Sequence, residues 1–153
     1  MKKFSIKFLF VLFISTFFFS CKPNLMKGKG LSSKDIMYIQ KMGLLEKNEE
    51  IILFTTQGGF LGLKSSGNFY TKKRIASYWI DKNHPERTSN DFAYYEDIDT
   101  IICHPRLNAV TLSSSIEIKN KTGKQFNVFV DADSAQTWKF FNGAIKLWQK
   151  SKI

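Results

Sequence analysis

Three groups of residues carry side chains that could do chemistry. Glu96, Asp97 and Asp99 gather carboxylates, the raw material of general acid–base catalysis. Cys103-His104 sets a thiol beside an imidazole, as nucleophilic and metal sites do. Thr122-Gly123-Lys124 has the glycine and lysine of a phosphate loop. Each falls short. The carboxylates sit where a strand edge or an arginine partner explains them. Cys103 and His104 are neighbours on an expected strand, so they point to opposite faces and cannot chelate one ion. The glycine spacing and following helix of a phosphate loop are missing. His84 and His104 are the two histidines, and each precedes a proline, as loop residues do. We expect no catalytic residue, no metal and no cofactor, and read the chain as non-enzymatic.

The remaining chemistry is cationic. Lys72, Lys73 and Arg74 fall in one turn, and Lys119, Lys121 and Lys124 around another. Both sets are candidates for an anionic surface, either lipid or an acidic protein. The formal net charge is +10, which favours such partners. Tyr70, Tyr78 and Trp79 beside the first turn could stack on bases. An export signal argues against nucleic acid.

That signal is the N-terminus. Met1 to Lys7 carries three lysines, and Phe8 to Phe19 is an uncharged apolar run. A membrane-spanning helix needs about 20 apolar residues, so this run fits a signal peptide instead. The junction Ser20-Cys21 resembles a bacterial lipobox, with Phe18 and Phe19 standing where Leu and a small residue are usual. The resemblance implies lipidation of Cys21. Lys22 replaces the Asp that marks inner-membrane retention in enteric bacteria, which favours the outer membrane. Residues 1–20 are thus expected to be a signal peptide. Residues 21–32, with Pro23, Gly28 and Gly30, are expected to be a lipidated cysteine and flexible tether. Without residues 1–20 the chain keeps 20 basic and 13 acidic residues, about +7. Cys103 then has no disulfide partner.

Residues 33–153 read as one mainly β domain of α+β class. A short helix over Lys34–Met42 ends at Gly43. About seven short strands follow. The clearest alternation is Ser115–Lys119 against Phe126–Val130, turned by Asn120–Gly123 with Gly123 free to take φ > 0. Asp133 or Ser134 starts a last helix whose stripe is Trp138, Phe141, Ile145 and Trp148. Phe140 and Leu147 lie roughly opposite that stripe and call for a second cover, with the N-terminal helix available.

Thr71-Lys72-Lys73-Arg74-Ile75, the pair Tyr78-Trp79, the segment Phe92 to Ile98 and a closing helix with Trp138 resemble, in order and spacing, the bacterial PH-like and GRAM-like domains. The resemblance implies a curved antiparallel sheet or partly open barrel capped by the helix. It implies a structural role for Thr71, whose hydroxyl bonds the turn backbone, and a carboxylate partner for Arg74, with Glu96 or Asp97 as candidates. It implies a binding platform rather than a reaction. Two functions follow. One is an envelope lipoprotein facing the periplasm that binds a protein, a peptide or an anionic lipid surface. The other is a periplasmic immunity or inhibitor lipoprotein that neutralises a toxin or enzyme.

Overall fold

The structure is a computed structural model that describes residues 25–57, 62–105 and 113–153. Two antiparallel meanders build the domain. The first sheet runs in order through β1 (Leu25–Lys27), β2 (Leu53–Thr55), β3 (Ser66–Tyr70), β4 (Arg74–Trp79) and β5 (Ser89–Tyr94). The second holds β6 (Ile98–His104), β7 (Ser114–Asn120) and β8 (Gln125–Val130). Helix α1 (Ser33–Lys41) lies between β1 and β2 in sequence, and α2 (Ser134–Lys150) follows β8. The antiparallel strands and the closing helix match the expected mainly β arrangement, with the strands divided between two sheets.

Period-two alternation divides the first sheet between two cores. Leu53, Tyr70, Ile75 and Ala93 face the second sheet and α2. Phe54, Phe69, Ala76 and Tyr78 face the other way and pack with Ile39, Leu44 and Leu45 of the α1 segment. The N-terminal helix therefore covers the outer face of the first sheet. It does not cover α2, contrary to the sequence expectation. Phe140 needs no second cover, because it is fully buried in the first core.

The α2 stripe is rotated from the one expected. Thr137, Phe140, Phe141 and Ala144 face the sheets, while Trp138 is 48% exposed. Phe141 holds its assigned place, and Ile145 and Trp148 pack partly buried against the same core. Trp148 also donates its indole N–H to the Ile98 carbonyl at 3.1 Å. Small residues decide the rotation. A Cβ on Gly143 would come within 2.0 Å of the Tyr70 hydroxyl, and the Tyr70 ring meets Phe140 edge-on at 5.0 Å. Gly143 thus admits Tyr70 against the helix.

That contact reverses the usual effect of glycine in a helix. Gly→Ala at an unhindered helical site gains about 0.5–1 kcal/mol. Gly143→Ala should instead destabilise by about 1–3 kcal/mol, the usual range for overpacking. Adding Tyr70→Phe should recover part of the loss. A denaturant melt in which Gly143→Ala is neutral or stabilising would contradict the packing.

The segment expected to be a tether is part of the sheet. Leu25–Lys27 pairs with β2 in the register Leu25↔Thr55 and Lys27↔Leu53, and Gly28–Gly30 forms one 3-10 turn. The sheet thereby gains a strand from residues upstream of residue 33. Pairing with a strand distant in sequence outweighs the Gly/Lys composition here. A Cβ on Gly28 would lie 1.9 Å from the Ile51 carbonyl oxygen, so glycine lets the chain press onto the neighbouring backbone.

Other local expectations agree with the structure. Gly43 takes φ +76° just past α1, as expected, but the cap is Ser32, in a reciprocal box with Asp35, rather than the expected Ser33. Asp133 caps α2, accepting the Gln136 N–H at 2.8 Å. The β7–β8 hairpin pairs Ile116 with Val128 and Ile118 with Phe126, with Gly123 at φ +88°. Asn68, buried in β3, ties the sheets together: its Oδ1 accepts from Ser77 Oγ at 2.8 Å and from the Phe129 N–H at 3.0 Å. Among the described residues no helix is long and apolar enough to cross a membrane.

Candidate functional site: the Thr71–Arg74 turn and its cleft

The turn between β3 and β4 is held by one hydroxyl. Thr71 Oγ1 accepts the backbone N–H groups of Lys73 at 3.0 Å and Arg74 at 3.1 Å. It donates in turn to Glu49 Oε1. This is the structural role the PH-like resemblance implied.

The three cations of the turn have different fates. Arg74 is 2% exposed and is no surface cation, which corrects its assignment to an anionic-surface site. Its Nε and Nη2 grip Glu49 Oε1 and Oε2 at 3.1 and 3.0 Å. Nη2 also bonds Glu46, and donates to Tyr94 Oη at 3.0 Å. The guanidinium lies over the rings of Phe92 and Tyr94, 4.8 and 4.4 Å from their centroids. The register Arg74↔Tyr94 and Ala76↔Phe92 explains the stack, since all four side chains share one face. Such a buried charge needs its carboxylates. They are Glu46 and Glu49, not the expected Glu96 or Asp97.

Lys72 and Lys73 remain exposed. Lys73 Nζ bonds Glu46 at 2.7 Å while 59% of its side chain stays accessible. The Lys73 hydrogen bond, then that of Tyr94, and the charge of Arg74 pull the Glu46 carboxyl down from 4.5 to about 2, against a desolvation effect that opposes them. Glu46 in turn pushes the Lys73 and Tyr94 pKa values up.

The sign of the consequence is fixed. A depressed carboxyl stabilises the fold fully above its unfolded value, near 4.5, and loses that contribution as pH falls through about 2. Glu46→Gln should therefore flatten the acid side of the melting-temperature profile between those limits and change little at neutral pH beyond a constant offset. A variant whose acid limb matches wild type would contradict the network.

Lys72 and Lys73 line a cleft of about 610 Å³ together with Lys27 and Lys29 of the N-terminal segment. Ile36 from α1, with Ile51 and Ile52, also lines it. The sequence reading missed Lys27 and Lys29 because it placed them in a tether. Lys119, Lys121 and Lys124, also exposed, do not line this cleft. Lys124 is engaged with Asp91 at 2.7 Å, and the Lys121 backbone N–H bonds the Asp97 carbonyl at 2.8 Å. The two basic turns thus do not merge into one site.

The other groups weighed for chemistry are placed as follows. Cys103 is partly buried against the core, and burial raises its thiol pKa, which disfavours the reactive thiolate. His104 and His84 each meet a glutamate, Glu117 at 3.1 Å and Glu86 at 3.2 Å. Tyr70 and Tyr78 are buried, so neither offers a free face for stacking. Among the described residues no three metal-ligating side chains gather. Cys21 lies outside the described residues.

No protein-family model matches the chain, and no curated protein matches it. Among solved structures it is similar to the crystal structure of a DUF1696 family protein with a pleckstrin-homology domain from Shewanella loihica PV-4. That similarity has a TM-score of 0.49 at 11% identity, covering 86% of this chain and 99% of the other.

Proposed function

We propose that this protein is a non-enzymatic, lipid-anchored domain of the bacterial envelope that lies with its lysine cleft against an anionic membrane surface. The observation that carries the reading is the meeting of Lys27 and Lys29 with Lys72 and Lys73 around one cleft. These lysines come from segments far apart in sequence. With Arg74 bound inside by Glu46 and Glu49, it is the lysines that offer charge outward.

The anchor position agrees. Cys21 precedes Leu25, the first residue of β1, by only four positions, so on this reading the anchor attaches a short stretch of chain upstream of the sheet. Lys27 follows two residues later. The charged rim is therefore on the tethered side of the domain. Each cation near an anionic leaflet contributes about 1 kcal/mol, within a Debye length of about 8–10 Å. Acyl chains at about 0.8 kcal/mol per buried CH₂ supply retention, and the lysines supply orientation. Envelope location facing the periplasm, with the outer membrane favoured by Lys22, belongs to this reading.

Fractionation of the expressing cell separates the two attachments. Wild type should stay with membranes in both low and high salt. Cys21→Ser should leave the membranes in high salt and remain partly bound in low salt. Cys21→Ser with Lys72→Ala and Lys73→Ala should be soluble in both. Wild type recovered in the soluble fraction without acyl label would overturn the anchored reading.

A further inference from the structure

We infer that a second slot in this protein, polar but without an open charge, takes a neutral saccharide. It lies where β4 and β5 of the first sheet meet the edge of β8, and it shares no lining residue with the lysine cleft. The inference therefore stands or falls independently of the membrane reading.

The slot exists because one face of the first sheet runs on past the core. Ile75, Ser77 and Trp79 alternate onto that face of β4, and the register sets Ala93, Asp91 and Ser89 of β5 beside them. Ile75 and Ala93 are buried in the first core, while the other four line the slot. Asn127 and Phe129 of β8 form the opposite wall. Two ties fix the gap. Asn68 Oδ1 accepts from Ser77 Oγ at 2.8 Å and from the Phe129 N–H at 3.0 Å, and Lys124 Nζ meets Asp91 Oδ1 at 2.7 Å. The volume, about 400 Å³, lies near the lower end of the ordinary range of small-molecule sites.

The lining selects the chemistry of the ligand. Asp91 is the one charged side chain on it, and Lys124 neutralises that charge. An inorganic anion meets no open cation there. The remaining polar groups are hydroxyls and amides, which both donate and accept hydrogen bonds, as sugar hydroxyls do. The backbone adds to them. Phe129 turns its N–H away from β7 to Asn68, so the alternation of an antiparallel pair turns the N–H and C=O of Asn127 the same way. Trp79 and Phe129 bring aromatic surface among these groups. The electron-rich face of such a ring attracts the polarised C–H bonds of a sugar ring. A wholly apolar ligand would leave the amides and hydroxyls unpaired. An extended peptide would find little edge to pair with, because Asn68 already occupies the Phe129 N–H.

The test follows NMR shifts in the protein purified from expressing cells in a detergent without a sugar headgroup. The probes are maltose, cellobiose and diacetylchitobiose, with adenosine and tetra-alanine as comparators. At least one saccharide should move the Trp79 indole N–H and the amides of Ser89 and Asn127, and leave those of Lys72 and Lys73 in place. Trp79→Ala should weaken that binding about tenfold. Asn127→Ala, at an exposed position that the fold tolerates, should weaken it several-fold, and Trp138→Ala should not. A panel in which no saccharide shifts these groups would overturn the site. Adenosine or tetra-alanine shifting them as strongly as the best saccharide would overturn the ligand class and mark a base-stacking or an edge-pairing site. Equal saccharide binding by wild type, Trp79→Ala and Asn127→Ala would place the sugar elsewhere and overturn the slot.

Discussion

Phe140→Ala should cost about 3–5 kcal/mol of stability, the usual result of emptying a buried aromatic site. That is a large share of the 5–15 kcal/mol typical of a domain. The side chain is fully buried and meets Tyr70 edge-on at 5.0 Å. The chain cannot easily collapse into the gap, because Tyr70 already sits on Gly143. Trp138→Ala, two positions earlier, should cost only about 1 kcal/mol. Trp138 is 48% exposed and keeps one edge contact, with Phe141 at 5.9 Å. The contrast is the test. Urea melts in which Trp138→Ala is the more damaging change would rotate the helix back to the orientation expected from its spacing alone.

The second large effect is expected at Arg74. Arg74→Ala leaves the Glu49 carboxylate, 3% exposed, without its cation. Removing one partner of a buried pair typically costs about 3–5 kcal/mol. Arg74→Lys should be damaging too, because an ammonium cannot make the two parallel bonds to Glu49 or spread a planar cation over Phe92 and Tyr94. The partner assignment is checked by a double change. Arg74→Met with Glu49→Gln should cost clearly less than the sum of the single changes, since the uncompensated charge is gone. Additive losses in denaturant melts would mean that Glu49 is not the partner.

The parts legible in the sequence were those written locally. The β7–β8 hairpin was readable because Ile116, Ile118, Phe126, Val128 and Val130 alternate and Gly123 closes the turn. The hydroxyl role of Thr71 in the turn was readable because the N–H groups it accepts lie two and three residues on. The mainly β, antiparallel character and the closing helix followed from the order of such pieces.

What escaped depends on contacts between distant segments. Three consecutive cations look alike in a sequence, but the strand register turns Arg74 inward and leaves Lys72 and Lys73 outside. Its partners, Glu46 and Glu49, lie 28 and 25 positions away. No local pattern points to them. The helix stripe was misread for a related reason. Tryptophan suggests an anchor by size, yet Thr137, Ala144 and the gap at Gly143 face the sheet because Tyr70 and Phe140 fill that space. The strand β1 was hidden by glycine and lysine, which read as a linker until β2 supplies a pairing edge. That error mattered most, since it removed Lys27 and Lys29 from the cleft.

The central claim is that the lysine rim seats the domain on anionic lipid. It is tested most directly by sedimentation of the chain from Lys22 onward with vesicles that contain or lack phosphatidylglycerol, across a salt series. Binding should require the anionic lipid, fall steadily as salt rises, and be largely lost when Lys72 and Lys73 become Ala. Binding that ignores salt, or that is equal in the Lys72→Ala, Lys73→Ala variant and in wild type, would contradict it.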